Sequence, residues 1–397
     1  MNTISESSRS RLDSLMKIGV GVGILGALAV GLGLAQNVDA NKPQFLQSYL
    51  YAYLFWLGLS LGSLAFGILH FLTGGRWGIR LERILQAGMG TLPLMALLFL
   101  PIWMNMQELY SWSRPGAMDS ELMHKKAFWL NASGWTTRIF IYFAIWMFCA
   151  WLLTSRGKKR DATGDKNAES GVRFLAGPMI ILHVLAVTFA VIDWAMSLEP
   201  AWFSTMFGVI FVAGQGISTL AFSVLICAWL RKDEQFGKLF GADHFHDLGT
   251  LMFAFSMFWT YTSFSQYLII WSGNIAEETP WYLHRTGHGW QYVAISLVAL
   301  GWFLPFLLLM QRKIKRQAHL LVGVAVIVIV ARHFDLYWQI GPAFHHDGFH
   351  GPHWMDLAMP FAIGGFWLAL FSWLLKARPI TNNQVEMIHA EAHAAHH

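Results

Sequence analysis

Residues 190–208 read AVIDWAMSLEPAWFSTMFG: an apolar run closes on Asp193, Glu199 follows six residues later, and a second apolar run begins almost at once. Each run belongs to a stretch long enough for the ~20 residues that a helix needs to cross the hydrocarbon core. The joint therefore reads as the turn between two membrane helices. A carboxylate at that boundary is costly unless it is paired or hydrated. Two of them at one joint mark either a solvated turn or a site with work to do.

Composition extends the reading to the whole chain. Of 397 residues 55% are hydrophobic and 13% charged, and the mean hydropathy is +0.43. A soluble domain carries about 25% charge, so the chain belongs in a bilayer. The sequence pI is about 9.2, but the cations sit in short clusters between apolar runs. That distribution sets membrane orientation and is not a nucleic-acid footprint. Cys149 and Cys227 both lie in apolar runs, and there is no CxxC or CxxCH. The chain supplies neither a cysteine-held iron–sulfur cluster nor a covalent c-haem. The N-terminus lacks a signal-type cleavage site, so the first apolar run is expected to be retained.

Ten spans are expected, centred near Ile24, Leu59, Met95, Ile145, Val184, Ala213, Met257, Ala299, Ile327 and Trp367. They form an all-α transmembrane domain over 16–377, between a cytoplasmic segment, 1–15, and a His-rich cytoplasmic tail, 378–397. Of 28 Lys and Arg, five (Lys42, Arg114, Lys125, Lys126 and Arg285) fall on one side and two (Arg138 and Arg332) within spans, leaving 21 on the side that holds both termini. The positive-inside rule makes that side cytoplasmic. Pro93, Pro101 and Pro360 are expected to kink their spans, and no matched pair of interrupted spans is visible.

Ionisable groups inside spans are functional hypotheses by default. On the outer half these are Arg138, Asp193, Arg332, His333 and Asp335, with Glu199 beyond the helix end as a solvated entrance or a cap for the next helix. Arg332 and Asp335 are i,i+3 and share a helix face, so a local ion pair is an equal reading. His183 lies about 15 Å below Asp193 at helical rise, and His246 and Asp247 lie at the inner end. Ser256, Thr260, Ser263 and Tyr267 form a polar stripe on one face of the seventh span. Interhelical hydrogen bonding explains any one of them; together they suit a proton relay of two half-paths. The outer loop AFHHDGFHGPHWMD (343–356) brings His345, His346, His350 and His353 close together, but without metal-ligand spacing, so no metal site is expected. The terminal HAEAHAAHH reads as a solvated tail.

Two stretches carry a resemblance: LHVLAVTFAVIDWAMSLEPAWFSTMFG (182–208) and HFHDLGTLMFAFSMFWTYTSFSQYLIIWSGNIAEETPWY (244–282). They resemble the ActF family of membrane subunits of bacterial alternative complex III, within the NrfD-like (polysulfide-reductase membrane subunit) superfamily, over roughly 45–375. The resemblance implies ten helices, eight of them in two four-helix bundles, in a bacterial inner membrane. It implies a quinol:electron-acceptor oxidoreductase with cytochrome c or another acceptor, in which this subunit has no redox centre and quinone or quinol is the diffusible cofactor. It also implies partners: a sister NrfD-like subunit (ActC), which holds the better-defined quinol site, and periplasmic subunits carrying iron–sulfur clusters and c-type haems. Small membrane subunits, a terminal oxidase and lipids complete the set. Two other classes stay open. One is a structural subunit, favoured by the small residues in GVGVGILGALAVGLG and GLSLGSLAFG. The other is an autonomous proton-coupled transporter, which predicts broken helices near the midplane. A b-type cytochrome would have only His70 and His183 as a haem-ligand pair, a poor one.

Overall fold

The computed structural model describes residues 6–163, 170–232, 240–345, 347–349 and 351–377, and among them it is helical without a strand. In hydrocarbon every backbone N–H and C=O must be satisfied within its own segment, and the apolar runs fold as helices for that reason. Among the described residues nine stretches are long and apolar enough to cross a membrane. The protein is a multi-pass helical membrane protein.

The first span is α1 (Glu6–Gln36), a continuous helix with no break at residue 15. Asn37 caps the next helix by accepting from Ala40 N at 3.2 Å. That helix, α2 (Val38–Thr73), runs through the centre of the molecule. The third span is interrupted into α3 (Arg76–Met89), α4 (Leu92–Leu97) and α5 (Leu100–Met104), with α6 (Met106–Leu109) after it. Pro93 and Pro101 each stand in the first turn of a new helix, where the missing N–H costs nothing but the preceding helix cannot continue through them. Those two breaks are where the prolines place them. Pro360, by contrast, lies inside an unbroken helix, and its carbonyl accepts from Trp56 Nε1 at 2.8 Å.

After the short α7 (Glu121–Lys126) come α8 (Ala132–Thr163), α9 (Ser170–Trp194) and α10 (Phe207–Leu230). The seventh expected span is α11 (Ala242–Gly273), 32 residues without a break. It is not among the nine because Ser256, Thr260, Thr262, Ser263 and Gln266 dilute its apolar surface. A short helix, α12 (Thr279–Thr286), leads to the eighth span: α13 (Trp290–Ser296), a π segment (Leu297–Phe303) and α14 (Leu304–Met310). The short basic α15 (Arg312–Arg316), then α16 (Ala318–Ile340) and α17 (Trp354–Lys376) complete the chain. Two spans, the third and the eighth, are thus interrupted where no such pair was legible in the sequence.

Helices in a bilayer gain little from burying apolar surface against one another, so close approach through small residues supplies the packing. α2 and α10 cross where Gly58 faces Gln215 and Gly62 faces Thr219; a Cβ on Gly62 would sit 2.1 Å from Thr219 Oγ1. α10 also meets α9 at Gly208, α16 at Gly214 and α11 at Gly216. α1 packs chiefly on α17, through Gly19, Gly23 and Gly26 against Gly365, Ala369 and Ala362.

Candidate functional site

Asp193 ends α9 on its inward face and is fully buried. α8 runs antiparallel beside it and supplies two donors four residues apart, hence on one face. Arg138 binds the carboxylate with both arms, Nε to Oδ2 at 2.7 Å and Nη2 to Oδ1 at 2.8 Å. Tyr142 donates to Oδ2 at 2.7 Å and Trp129 Nε1 to Oδ1 at 2.9 Å. The Arg138 guanidinium also lies 4.2 Å from the centroid of the Trp129 ring. Four donors fill the carboxylate's lone-pair directions. The backbone carbonyl of Asp193 is held as well, by Trp135 Nε1 and Ser197 Oγ. Of the two arginines within spans, Arg138 and Arg332, the first is the partner of Asp193.

Glu199 is neither solvated nor a cap: α10 has Met206 at its N-cap, without a side-chain bond. It pairs with Arg285 of α12 at 2.5 Å, and His284 Nδ1 lies 3.6 Å away. Arg285 is 1% exposed, donates to the carbonyls of Trp281 and Gln339, and stacks 3.7 Å from the Trp281 ring centroid. Burial lowers its pKa and the Glu199 charge opposes that shift. Burial also pushes the neighbouring Tyr282 up to about 12. Counted by sequence as an outer-loop cation, Arg285 instead anchors the outer loops.

Arg332 and Asp335 do pair on α16, and Gln339 Nε2 completes the carboxylate at 2.9 Å. Gly214 admits the guanidinium against α10, where any Cβ would meet its carbon at 2.3 Å. A cavity of about 20 Å³ adjoins the pair, lined also by Ile217, Trp259, Gly301 and Val328. That is room for a water molecule. Gly301 lies in the π segment, and such interruptions of the helical ladder recur at functional sites. His333 stacks on Phe55 of α2 at 3.7 Å, with Nδ1 3.0 Å from the Ile329 carbonyl.

His183 is fully buried and neither ring nitrogen has a partner among the described residues. Its depth follows from register. Gly208 of α10 abuts Thr188 of α9, and Arg332 rests on Gly214. His183 is then about 7.5 Å inward of that level and Arg332 about 9 Å. The two sit at one depth on different sides of α10. No hydrogen bond joins Asp193 to His183 among the described residues, so any link is through water.

On α11, Ser256 is buried with its hydroxyl unpartnered, Thr260 bonds its own helix at Ser256 O, Ser263 Oγ is unpartnered, and Tyr267 is 37% exposed with its ring against Tyr282. The buried stripe runs instead through Ser256, Thr262, Gln266 and Ile270. Gln266 bonds Ser204 at 2.8 Å and Tyr282 at 3.0 Å. His246 and Asp247 are partly exposed at the start of α11, 3.9 Å apart. In the histidine loop, His345 contacts Gln47 at 2.9 Å and His353 is the N-cap of α17; His346 and His350 lie outside the described residues, as does the tail. Among the described residues no group of three or more His, Cys, Asp or Glu could hold a metal. The cavity beside Arg332 and another beside His70 are each about 20 Å³. Neither accommodates a quinone ring, so no step is derived through that group.

Sequence reasoning missed Trp129, Tyr142, Gln266, Arg285 and Asp356. All but Asp356 and Arg285 are neutral, and an uncharged side chain in a span gives no cost signal. No family model matches the chain, and no curated protein matches it.

Proposed function

We propose that the chain is an integral membrane subunit of a quinol:electron-acceptor oxidoreductase of the alternative complex III type, contributing a transmembrane proton path and no redox centre. α2 to α9 and α10 to α16 form two four-helix bundles, counting each interrupted span as one, flanked by α1 and α17; the helix contacts support this division. Both termini lie in the cytoplasm of a bacterial inner membrane. Haems and iron–sulfur clusters belong to periplasmic partners beside a sister NrfD-like subunit, and quinol meets this chain only at a surface shared with partners.

The observation that carries the reading is the Arg332–Asp335 pair. It is buried, beside a water-sized cavity and a π segment, at the depth of the unpartnered His183. Such a pair is expensive in a bilayer, and hydration together with pairing is what both tolerance and proton transfer require. Asp335→Asn keeps the shape and removes the titrating group. In the complex purified from native membranes it lowers the protons released per electron at unchanged haem content. An unchanged ratio removes the reading.

A second expected result concerns orientation. A reporter that works only outside the cytoplasm, fused after His397, stays silent; activity there reverses the topology. The interrupted third and eighth spans favour one competing reading, an autonomous transporter. They do not occupy corresponding places in the two bundles, and proton flux through the chain alone in liposomes would support that competitor.

A further inference from the structure

Four carboxylates of the outer half are buried or nearly so, and three of them face a guanidinium: Asp193 faces Arg138, Glu199 faces Arg285, and Asp335 faces Arg332. The fourth is Asp356, in the first turn of α17 and 1% exposed. Its donors are all neutral. Ser48 Oγ donates to Oδ1 at 2.5 Å, Gln44 Nε2 to Oδ1 at 2.9 Å, and His353 N to Oδ2 at 2.9 Å. Among the described residues no Lys or Arg pairs with it. The titratable groups around it are Tyr51 on α2, Tyr337 on α16, and His345 and His353 in the loop between.

Protonating Asp193 or Asp335 takes the counter-charge from a buried guanidinium, so each of those acids holds a proton only weakly. Protonating Asp356 breaks no ion pair, and the acid form can donate to a neighbour while still accepting. It also stands at the end of a line of groups along the seam of α2 and α16. His333 stacks on Phe55; one turn outward, Tyr337 meets Tyr51 edge-on at 5.8 Å. Beyond Asp356, Gln47 holds His345, which is half-buried where the loop reaches the outer surface.

We infer that Asp356 is the outer proton-exchanging carboxylate of this subunit, taking a proton from the α2–α16 seam and passing it through His345 and His353 to the outer face. This rests on the proton-path reading above. The carboxylate accepts one proton and returns to the anion when it gives that proton up, so nothing else is consumed. The cap that Asp356 makes for α17 explains its bond to His353 N, but not a contact with α2 through two further donors.

The test compares Asp356→Asn with Asp335→Asn in the intact complex, reading proton release during quinol-driven turnover. Asp356→Asn keeps an oxygen for Ser48 and Gln44, so the complex assembles. Its proton release is expected to slow by about a hundredfold, the low end of what a positioned proton-transfer group contributes. Normal release in Asp356→Asn with impaired release in Asp335→Asn overturns the assignment of Asp356 and leaves the proton path standing. Normal release in both overturns the two together. Should Asp356→Asn fail to assemble, Ser48→Ala decides: it keeps the carboxylate and removes its shortest donor. A shifted pH profile of proton release supports the inference, and an unshifted one with normal release overturns it.

Discussion

Arg138→Met is expected to destabilise the protein by about 3–5 kcal/mol, the usual consequence of leaving one member of a buried ion pair without its partner. The asymmetry of the site sets the sign of the comparison with Asp193→Asn. Asp193 is fully buried, whereas the Arg138 side chain retains 15% exposure. Without Arg138 the carboxylate keeps its charge in a buried place with Tyr142 and Trp129 as its remaining donors. Without the carboxylate charge, the guanidinium can lean toward the interface as long basic side chains do. Asp193→Asn should therefore cost less, about 1–3 kcal/mol for donors left partly unsatisfied. The double variant should lose less than the sum of the two singles, as coupled neighbours do. Denaturant titration in detergent measures all three. If Arg138→Met unfolds within about 0.5 kcal/mol of the parent, the surface-like value, the pair is not what fixes the joint of α9. The same variants answer what two acids are doing between two membrane helices. Lowered stability with normal proton release in Asp193→Asn marks a structural joint; near-normal stability with slowed release marks a relay.

The membrane class, the positions of the spans and the breaks at Pro93 and Pro101 were legible because each depends on composition along the chain. The pairing of Arg332 with Asp335 was legible because three residues apart means one helix face. Partners across helices were not. Nothing in the spacing of Asp193 selects Arg138 over Arg332, since the choice is made by α8 lying against α9. Arg285 reads as an outer-loop cation until α12 folds back and Trp281 stacks on it. Asp356 hides in a loop whose histidines draw attention to metals, while its actual neighbours, Gln44 and Ser48, lie more than three hundred residues away along the chain. The polar stripe of α11 was placed on the right helix, but its buried edge runs through Thr262 and Gln266. Position 266 completes a stripe only when the face is known to turn toward α12.

Small residues yield the sharpest contrast available. A Cβ on Gly365 would stand 2.2 Å from the backbone nitrogen of Gly23, 2.4 Å from its Cα and 2.6 Å from the carbonyl oxygen of Gly19. Carbon atoms rest at about 3.5–4.0 Å, and the obstacles here are backbone, so no rotamer relieves the clash. Gly365→Ala must push α1 away from α17. Only 22% of the apolar window of α1 is buried inside the molecule, so α1 can separate while the remaining helices stay folded. Overpacking of this kind costs about 1–3 kcal/mol, which is roughly 5- to 150-fold in the docking equilibrium constant. The inner ends of the two helices report the change. Lys376 Nζ and Asp13 Oδ1 are 2.5 Å apart, so cysteines placed at both positions lie within reach of a short bis-thiol reagent, which should link them readily in the parent and much more slowly with Gly365→Ala. Gly21 is the control, lying on the facing helix α1 in open space, with nothing within 4 Å of where a Cβ would stand; Gly21→Ala should leave the cross-linking rate unchanged. Equal rates for the two alanine variants would mean that the glycine contact does not hold α1 against α17.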